Sequence, residues 1–559
     1  MTWRYRFTFL LFLASFGLIA SRLFFWQVVK AEELSQTAQS QYGMFVKIIP
    51  KRGEIKTSDG FPIVANKISY LIYANPKQIK DKKRTAEILS PILEMEIASL
   101  SASFSYDRFW LSLKQNIDNE KKEKIEQLKL PGIGFEERFT RFYPEASMAA
   151  HLTGFVGKDD LGEDKGYFGL EGYYDRQLKG KSGFAFEVKD AFGKPILSKM
   201  NEKSMKIDGR TLVLNVDRVI QFIVEEKLKE GVKKYQASGG MIAVINPKTG
   251  GVLAMSGLPT FNQATYQEYE VNLYKNPFVS NLFESGSTFK PLVMSSALDA
   301  NVVKPDTKCN ICSGPVTIGE YQIKTWNNKY FPNITMTDVI MHSDNTGMVF
   351  VANSLGFDKM FSYLNKFGIG ELTRIDLQGE VTPEIKPKNL WYPIDFATAS
   401  FGQGISITPI ELLTAFSAIA NEGKRMEPHV VSKIETSQGQ TINILPKVLD
   451  NPISPSTAKV MTEILVNAVE KGEASWVKLK GYRIAGKTGT AQIPIAGHYD
   501  PNETIASFIG FAPADDPKFA MLVVIDRPTT SIYGAETAAP VFFEVAKKIL
   551  DYYNIPATE

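Results

Sequence analysis

Glu284-Ser285-Gly286-Ser287-Thr288-Phe289-Lys290-Pro291 is the stretch on which the reading of this chain turns. It contains Ser-x-x-Lys. Residues three apart share one face of a helix, so Lys290 is expected one turn above Ser287, within reach of its hydroxyl. A serine hydroxyl is a weak nucleophile and needs a neighbouring base. A lysine can be that base once burial or another cation lowers its pKa. Gly286 permits a tight turn, and Pro291 is tolerated close to a helix start but not deep inside, so the helix is expected to begin near Ser287.

The pattern alone is not specific, because the chain carries it twice more. Ser456/Lys459 follows Ser454-Pro455 at the head of a long helical run and reads as capping. Ser475/Lys478 has no glycine at the turn and reads as a chance match. Specificity comes from two further motifs, in a fixed order downstream of Ser287. His342-Ser343-Asp344-Asn345-Thr346-Gly347 holds Ser-x-Asn, a hydroxyl to relay a proton and an amide to grip a peptide group. In isolation it would read as an N-cap or turn. Gly486-Lys487-Thr488-Gly489-Thr490 ends a β-type run, where a strand edge can pair with an extended peptide. Lys487 supplies a positive field, Thr488 and Thr490 supply hydroxyls for a carboxylate, and Gly489 leaves room for close approach. A second Lys-Thr-Gly, Lys248-Thr249-Gly250, lies upstream of every candidate nucleophile in a predicted hairpin loop and reads as a turn.

Around these motifs the pattern predicts a hairpin from residues 241–246 and 252–255, then a mainly helical insert from 283 to about 420. Three β-type runs come next, at 482–491, 505–511 and 519–525. A final helix places Phe542, Val545, Ala546, Ile549 and Tyr553 on one face. This is an α/β (α+β) order, satisfied by an antiparallel sheet flanked by helices. Residues 44–237 mix short β-type runs with charged helical runs. Those starting at Lys80 and Glu120 read as solvated faces, and Leu161 to Gly183 as loops and turns. No catalytic constellation falls there.

At the N-terminus, Phe7 to Val29 carries one charge, Arg22, and is long enough to cross a bilayer. Arg4 and Arg6 precede it with no acid nearby, so residues 1–6 are expected to stay cytoplasmic and the rest to lie outside. A signal peptide cut near Ala20-Ser21 competes, but apolar character continues past that point, which favours a retained anchor. No second run of this length appears, so the chain reads as single-pass. The expected division is 1–6 cytoplasmic, 7–29 anchor, 30–237 non-catalytic pedestal beginning with a polar stalk (Lys30 to Gln41), and 238–559 catalytic domain.

Composition narrows the function classes. With 64 Lys+Arg against 61 Asp+Glu, the net charge of +3 argues against a nucleic-acid-binding surface. Four scattered His and two Cys leave little for a metal site, so neither a metal nor a cofactor is expected. Cys309 and Cys312 fit a local disulfide or free thiols equally well.

The ordered set Ser287-x-x-Lys290, Ser343-x-Asn345, Lys487-Thr488-Gly489 is shared by class A β-lactamases and penicillin-binding proteins. Over most of its length the chain resembles the class B penicillin-binding proteins, monofunctional peptidoglycan D,D-transpeptidases. Arg52-Gly53-Glu54-Ile55 looks like the opening of that family's pedestal, which is also called a dimerisation domain. Gly169-Leu170-Glu171 is similar to its Gly-Leu-Glu element, and Asn246-Pro247-Lys248-Thr249-Gly250 to its first hairpin. Phe401-Gly402-Gln403-Gly404 with Thr408-Pro409 is similar to its Gly-Gln-Gly and Thr-Pro element. Thr57-Ser58 departs from the family's usual Asp-Arg, and Ser285 from a common proline. The Ser343 and Phe401 elements are more similar to division-type (septal) enzymes than to elongation-type enzymes.

The resemblance implies a donor stem peptide ending in D-Ala-D-Ala and an acyl-enzyme on Ser287. It implies Lys290 as base, Ser343 as relay, Lys487 as the local positive field, Asn345 holding the stem, and Thr488, Gly489 and Thr490 at the substrate carboxylate. Ser287 and Thr490 would supply the oxyanion-hole N–H groups. A neighbouring amine is the acceptor, β-lactams acylate the same serine, and a multi-span membrane glycan polymerase is the implied partner. Rival readings are an elongation-type transpeptidase, a D,D-carboxypeptidase or β-lactamase, a β-lactam sensor, and a catalytically silent scaffold. Hydrolysis against transfer of the acyl group separates the hydrolases. A sensor would need a cytoplasmic output domain or several spans, and intact motifs argue against a scaffold.

Overall fold

The computed structural model describes residues 2–34, 37, 43–188, 201–495 and 498–557. The chain forms two compact units. One comprises Met1–Arg52, Ile68–Thr140 and Gly180–Gly209; the other comprises Gly53–Lys67, Arg141–Lys179 and Arg210–Glu559.

In the first unit, helix α1 (Thr2–Phe24) runs on through a wider turn, Phe25–Val29, as 28 continuous residues, long and apolar enough to cross a membrane. The Arg22 guanidinium lies 5.2 Å from the Trp26 ring. Of the polar stretch expected as a stalk, Ser35, Gln36 and residues 38–41 lie outside the described residues. Helices Lys82–Leu93, Ile97–Phe104 and Asn119–Gln127 pack Leu89, Leu93, Leu100, Phe104 and Ile125 onto Ile72 and Ala74. Asp81 and Asp118 cap two of them by accepting N–H bonds from Arg84 and Lys121. The charged runs at Lys80 and Glu120 fall on these helices, mostly at the surface.

The second unit is built on a five-stranded antiparallel sheet of β1 (Gly239–Ile245), β2 (Val252–Leu258), β3 (Ala485–Ile495), β4 (His498–Ala512) and β5 (Phe519–Asp526). Their spatial order is β2-β1-β5-β4-β3. Its main helices are α2 (Arg218–Lys234), α3 (Lys290–Asp299), α4 (Asn345–Leu355), α5 (Pro409–Ala420), α6 (Pro455–Lys471) and α7 (Ala538–Tyr552). Side chains alternate along a strand, and the core follows that period. Ile242, Val244, Val523 and Ile525 pack with Ile220 and Val224 of α2 and Phe542, Val545 and Ile549 of α7. Ala243, Ile245, Leu522 and Val524 join the opposite core with Leu292 of α3, Leu412 of α5 and Leu465 of α6. Hairpin, helical insert, three strands and terminal helix thus occur as expected, and β3 is left at the sheet edge.

One detail differs from the sequence reading. Leu161 to Gly183, expected as loops and turns, contains strand Asp164–Tyr167 and helices Gly169–Tyr173 and Asp175–Lys179. The cause is tertiary: Arg141 Nε donates to buried Glu171 Oε1 at 2.7 Å, and a Cβ on Gly169 would lie 2.4 Å from the Leu152 carbonyl oxygen. Glycine serves close packing there. The compact units are themselves discontinuous in sequence. Strand Thr211–Leu214 pairs antiparallel with Val431–Glu435 and parallel with Ile55–Lys56, so sheet pairing joins segments far apart in the chain.

Candidate active site

Ser287 sits in a tight 3₁₀ turn, Gly286–Phe289, and α3 proper starts only at Lys290. The helix therefore starts three residues later than the sequence suggested, and Ser287 lies in the tighter turn that leads into it. The turn is clamped from two sides. Gly286 N–H donates to the Gly402 carbonyl at 3.0 Å, and a Cβ on Gly402 would lie 2.2 Å from the Gly286 oxygen. This is the structural use of Phe401-Gly402-Gln403-Gly404. On the other side β3 abuts the turn: a Cβ on Gly489 would meet Thr288 Cγ2 at 2.8 Å and the Ser285 oxygen at 3.2 Å.

Lys290 is fully buried. Its ammonium donates three hydrogen bonds, to the Ser343 carbonyl oxygen (2.6 Å), Asn345 Oδ1 (2.8 Å) and Ser343 Oγ (3.3 Å). The first two motifs, 53 and 55 residues apart by these bonds, thus meet at one nitrogen. Ser287 Oγ is not among the three acceptors. Burial, joined by the nearby Lys487 charge, pulls Lys290 down to about 7, against the opposing pull of Asp344 and Glu473. Ser343 is buried with φ at +54°, a left-handed conformation costly for a non-glycine residue and typical of functional sites. Asp344 caps α4 by accepting from Gly347 N–H at 3.0 Å, which fixes Asn345 at the helix head. Asn345 Nδ2 donates to the Lys324 carbonyl at 3.0 Å.

Lys487 is 3% exposed and donates to the Thr488 carbonyl oxygen (3.0 Å) and Thr488 Oγ1 (2.9 Å). Burial lowers its pKa, and Glu473 opposes that. The Thr488 hydroxyl in turn donates to Glu473 Oε2 at 2.8 Å, so its hydrogen is engaged inside the protein. Thr490 Oγ1 accepts from Gly534 N–H at 2.9 Å.

Sequence reading missed three residues here. Glu473 belongs to no motif and lies just past α6. Trp326 and Tyr533, both substantially exposed, meet edge-on with ring centroids 5.4 Å apart. Trp326 lies two residues after Lys324, whose carbonyl accepts from Asn345, and Tyr533 directly precedes Gly534, whose N–H donates to Thr490. No local signal marks any of them.

The discarded motif copies fall elsewhere. Ser456 lies in the first turn of α6 beside the cap Ser454, Ser475 lies in a short turn, and Lys248, in the β1–β2 turn, pairs with Asp516 from the β4–β5 loop. Cys309 and Cys312 are joined in a disulfide. Among the described residues, no group of three or more His, Cys, Asp or Glu is placed to hold a metal ion.

Residues 240–551 match the model of the penicillin binding protein transpeptidase domain, and residues 47–214 that of the penicillin-binding protein dimerisation domain. The chain is 33% identical over 554 residues to stage V sporulation protein D of Bacillus subtilis, covering 97% of this chain and 85% of that protein. It is 28% identical over 567 residues to the peptidoglycan D,D-transpeptidase FtsI of Escherichia coli, covering 99% and 92%. Among solved structures, a peptidoglycan synthetase from Bifidobacterium adolescentis superposes with a TM-score of 0.74 at 26% identity, covering 92% of this chain and 98% of that one. A catalytic domain matched over more than half the chain, preceded by the matching dimerisation domain, leaves one conclusion: the chain belongs to the class B penicillin-binding proteins.

Proposed function

We propose that this penicillin-binding transpeptidase uses Ser287 as its nucleophile to cross-link peptidoglycan stem peptides, in the septal wall of dividing cells. The observation that carries the reading is the buried Lys290 amine, three residues after Ser287, tied to Ser343 and Asn345 of the second motif. Neutral Lys290 has one hydrogen fewer to donate. The long bond to Ser343 Oγ is the weakest of the three and the one to give up, which frees a lone pair for the Ser287 proton.

Ser287 Oγ then attacks the penultimate D-Ala carbonyl carbon. The oxyanion is held by the Ser287 and Thr490 N–H groups, where one donor contributes about 3 kcal/mol. The proton passes through Ser343 to the departing amine, the C–N bond to the terminal D-Ala breaks, and an ester on Ser287 remains. An amine of a neighbouring stem attacks that ester, forms the new amide and returns Ser287. Asn345 and the edge of β3 at Gly489 hold the donor, and Thr490 donates to its carboxylate. Lys487 lends its charge, and Thr488 reaches the carboxylate only by exchanging its bond to Glu473.

Arg4 and Arg6, ahead of the apolar span with no acid beside them, support residues 1–6 in the cytoplasm, the span in the cytoplasmic membrane and the catalytic unit outside. A membrane glycan polymerase supplies the strands to be joined. Wall synthesis during sporulation is a second reading, favoured by the 33% identity to the sporulation relative. Depletion during vegetative growth separates the two: filaments with blocked septa support the division role. The chemistry is tested by intact mass after exposure to a β-lactam. One adduct is expected, mapping to Ser287 and absent in Ser287→Ala; an adduct that persists in Ser287→Ala removes the nucleophile assignment.

A further inference from the structure

We propose that Glu473 is a positioning residue of the acyl-transfer site, its half-buried carboxylate fixing the Thr488 hydroxyl and standing as the nearby counter-charge of Lys487. The proposal deepens, and rests on, the assignment of Lys290 and Lys487 above.

The placement is built by α6. Its last residue, Lys471, is followed by Gly472, where a Cβ would lie 2.3 Å from the Ala468 oxygen and 2.8 Å from the Met341 oxygen. Only glycine lets the chain leave the helix this tightly against the segment that leads into Ser343. The next residue is Glu473. One of its oxygens, Oε2, accepts from Thr488 at 2.8 Å, and Thr488 Oγ1 accepts from Lys487 Nζ at 2.9 Å. The other oxygen, Oε1, is shut off from solvent and, among the described residues, has no hydrogen-bond partner. Leaving a buried carboxylate oxygen unpaired is costly unless a nearby cation compensates it.

The charged groups of this cluster are Lys290 from α3, Asp344 from the cap of α4, Glu473 from the exit of α6, and Lys487 from β3. Asp344 accepts from Thr346 and Gly347 through Oδ1, leaves Oδ2 buried and without a hydrogen-bond partner among the described residues, and acts on Lys290 but not on Lys487. Glu473 is the acid that acts on Lys487, and it acts on Lys290 as well. A glutamate that merely decorated a helix end would be tied to neither amine.

The two lysines need opposite states: Lys290 neutral to take a proton, Lys487 charged to set the field. Glu473 strengthens proton binding at both. Removing its charge therefore moves both limbs of a pH–rate profile to lower pH. A residue with only a packing role would change the height of the profile and leave its limbs in place.

The test is the second-order rate of acylation by a fluorescent penicillin from pH 5 to 10, on the full-length chain in detergent. Glu473→Gln keeps an acceptor for Thr488 and removes the charge; Glu473→Asp keeps the charge. For Glu473→Gln both limbs are expected to fall by about one pH unit, roughly a tenfold loss of rate on the alkaline side. Glu473→Asp is expected closer to the wild type. A Gln profile superimposable on the wild type overturns the proposal, as does an Asp variant no closer than Gln. A wild type not acylated at Ser287 removes the assignment of the site and this proposal together. Acylation at Ser287 with coincident profiles removes this proposal alone.

Discussion

The most demanding consequence of the geometry is the acid limb of acylation. Ser287 can lose its proton to Lys290 only while Lys290 is neutral. An ordinary lysine, at 10.5, would be neutral in only about 3 molecules in 10,000 at pH 7. Burial and the Lys487 charge bring it to about 7, so about half the molecules carry the free base there, a gain of more than a thousandfold. Below that point the rate should fall about tenfold per pH unit, to roughly one-fiftieth of its pH 7 value at pH 5. Stopped-flow acylation with a chromogenic β-lactam, at saturating and subsaturating concentration, separates the chemical step from binding. Lys290→Arg, which keeps the charge and does not deprotonate at these pH values, should lose at least about 1,000-fold at pH 7 while melting as a folded protein. A rate constant flat from pH 5 to 8, or a limb centred above pH 9, would refute Lys290 as a base of lowered pKa. Lys487→Gln removes the like charge beside Lys290, so any residual acylation should show the acid limb displaced to higher pH.

Packing sets three more outcomes. Gly402→Ala places a Cβ 2.2 Å from the Gly286 oxygen at a φ of +79°, so it should cost about 1–3 kcal/mol of stability and slow acylation without abolishing it, seen by thermal melts and penicillin labelling. Arg141→Met removes a guanidinium partner from buried Glu171 and should cost about 1.5–3 kcal/mol, measured by denaturant unfolding of the full chain. The Cys309–Cys312 bridge closes so short a loop that its removal by Cys309→Ser/Cys312→Ser should cost no more than about 2 kcal/mol; non-reducing peptide mapping should recover the bridged peptide from the wild type.

Much of the architecture was legible because it is written in short-range periods. Short runs rich in β-branched and apolar residues marked Met241 to Asn246 and Phe519 to Ile525 as strands, and a 3.6-residue period put Phe542, Val545 and Ile549 on one face of α7. The stretch Leu161 to Gly183 misled for the opposite reason. Its glycines carry no periodic signal, and what orders them is a buried pair, Arg141 and Glu171, thirty residues apart. The late start of α3 was also hidden, since the choice between a 3₁₀ and an α turn at Gly286 depends on the Gly402 carbonyl that receives its N–H.

The order and identity of the candidate reactive groups, Ser287, Lys290, Ser343, Asn345 and Lys487, were set by the chain itself, as were the apolar N-terminal span and the five strands. Each depends on residues within a few positions of one another. Folding alone decided how those groups behave. The proton affinity of Lys290, the engagement of the Thr488 hydroxyl by Glu473, and the meeting of Trp326 with Tyr533 come from segments tens to hundreds of residues apart. Their electrostatic consequences exist because water is excluded where the segments meet, and exclusion of water is a property of the packed core that no local stretch of residues carries.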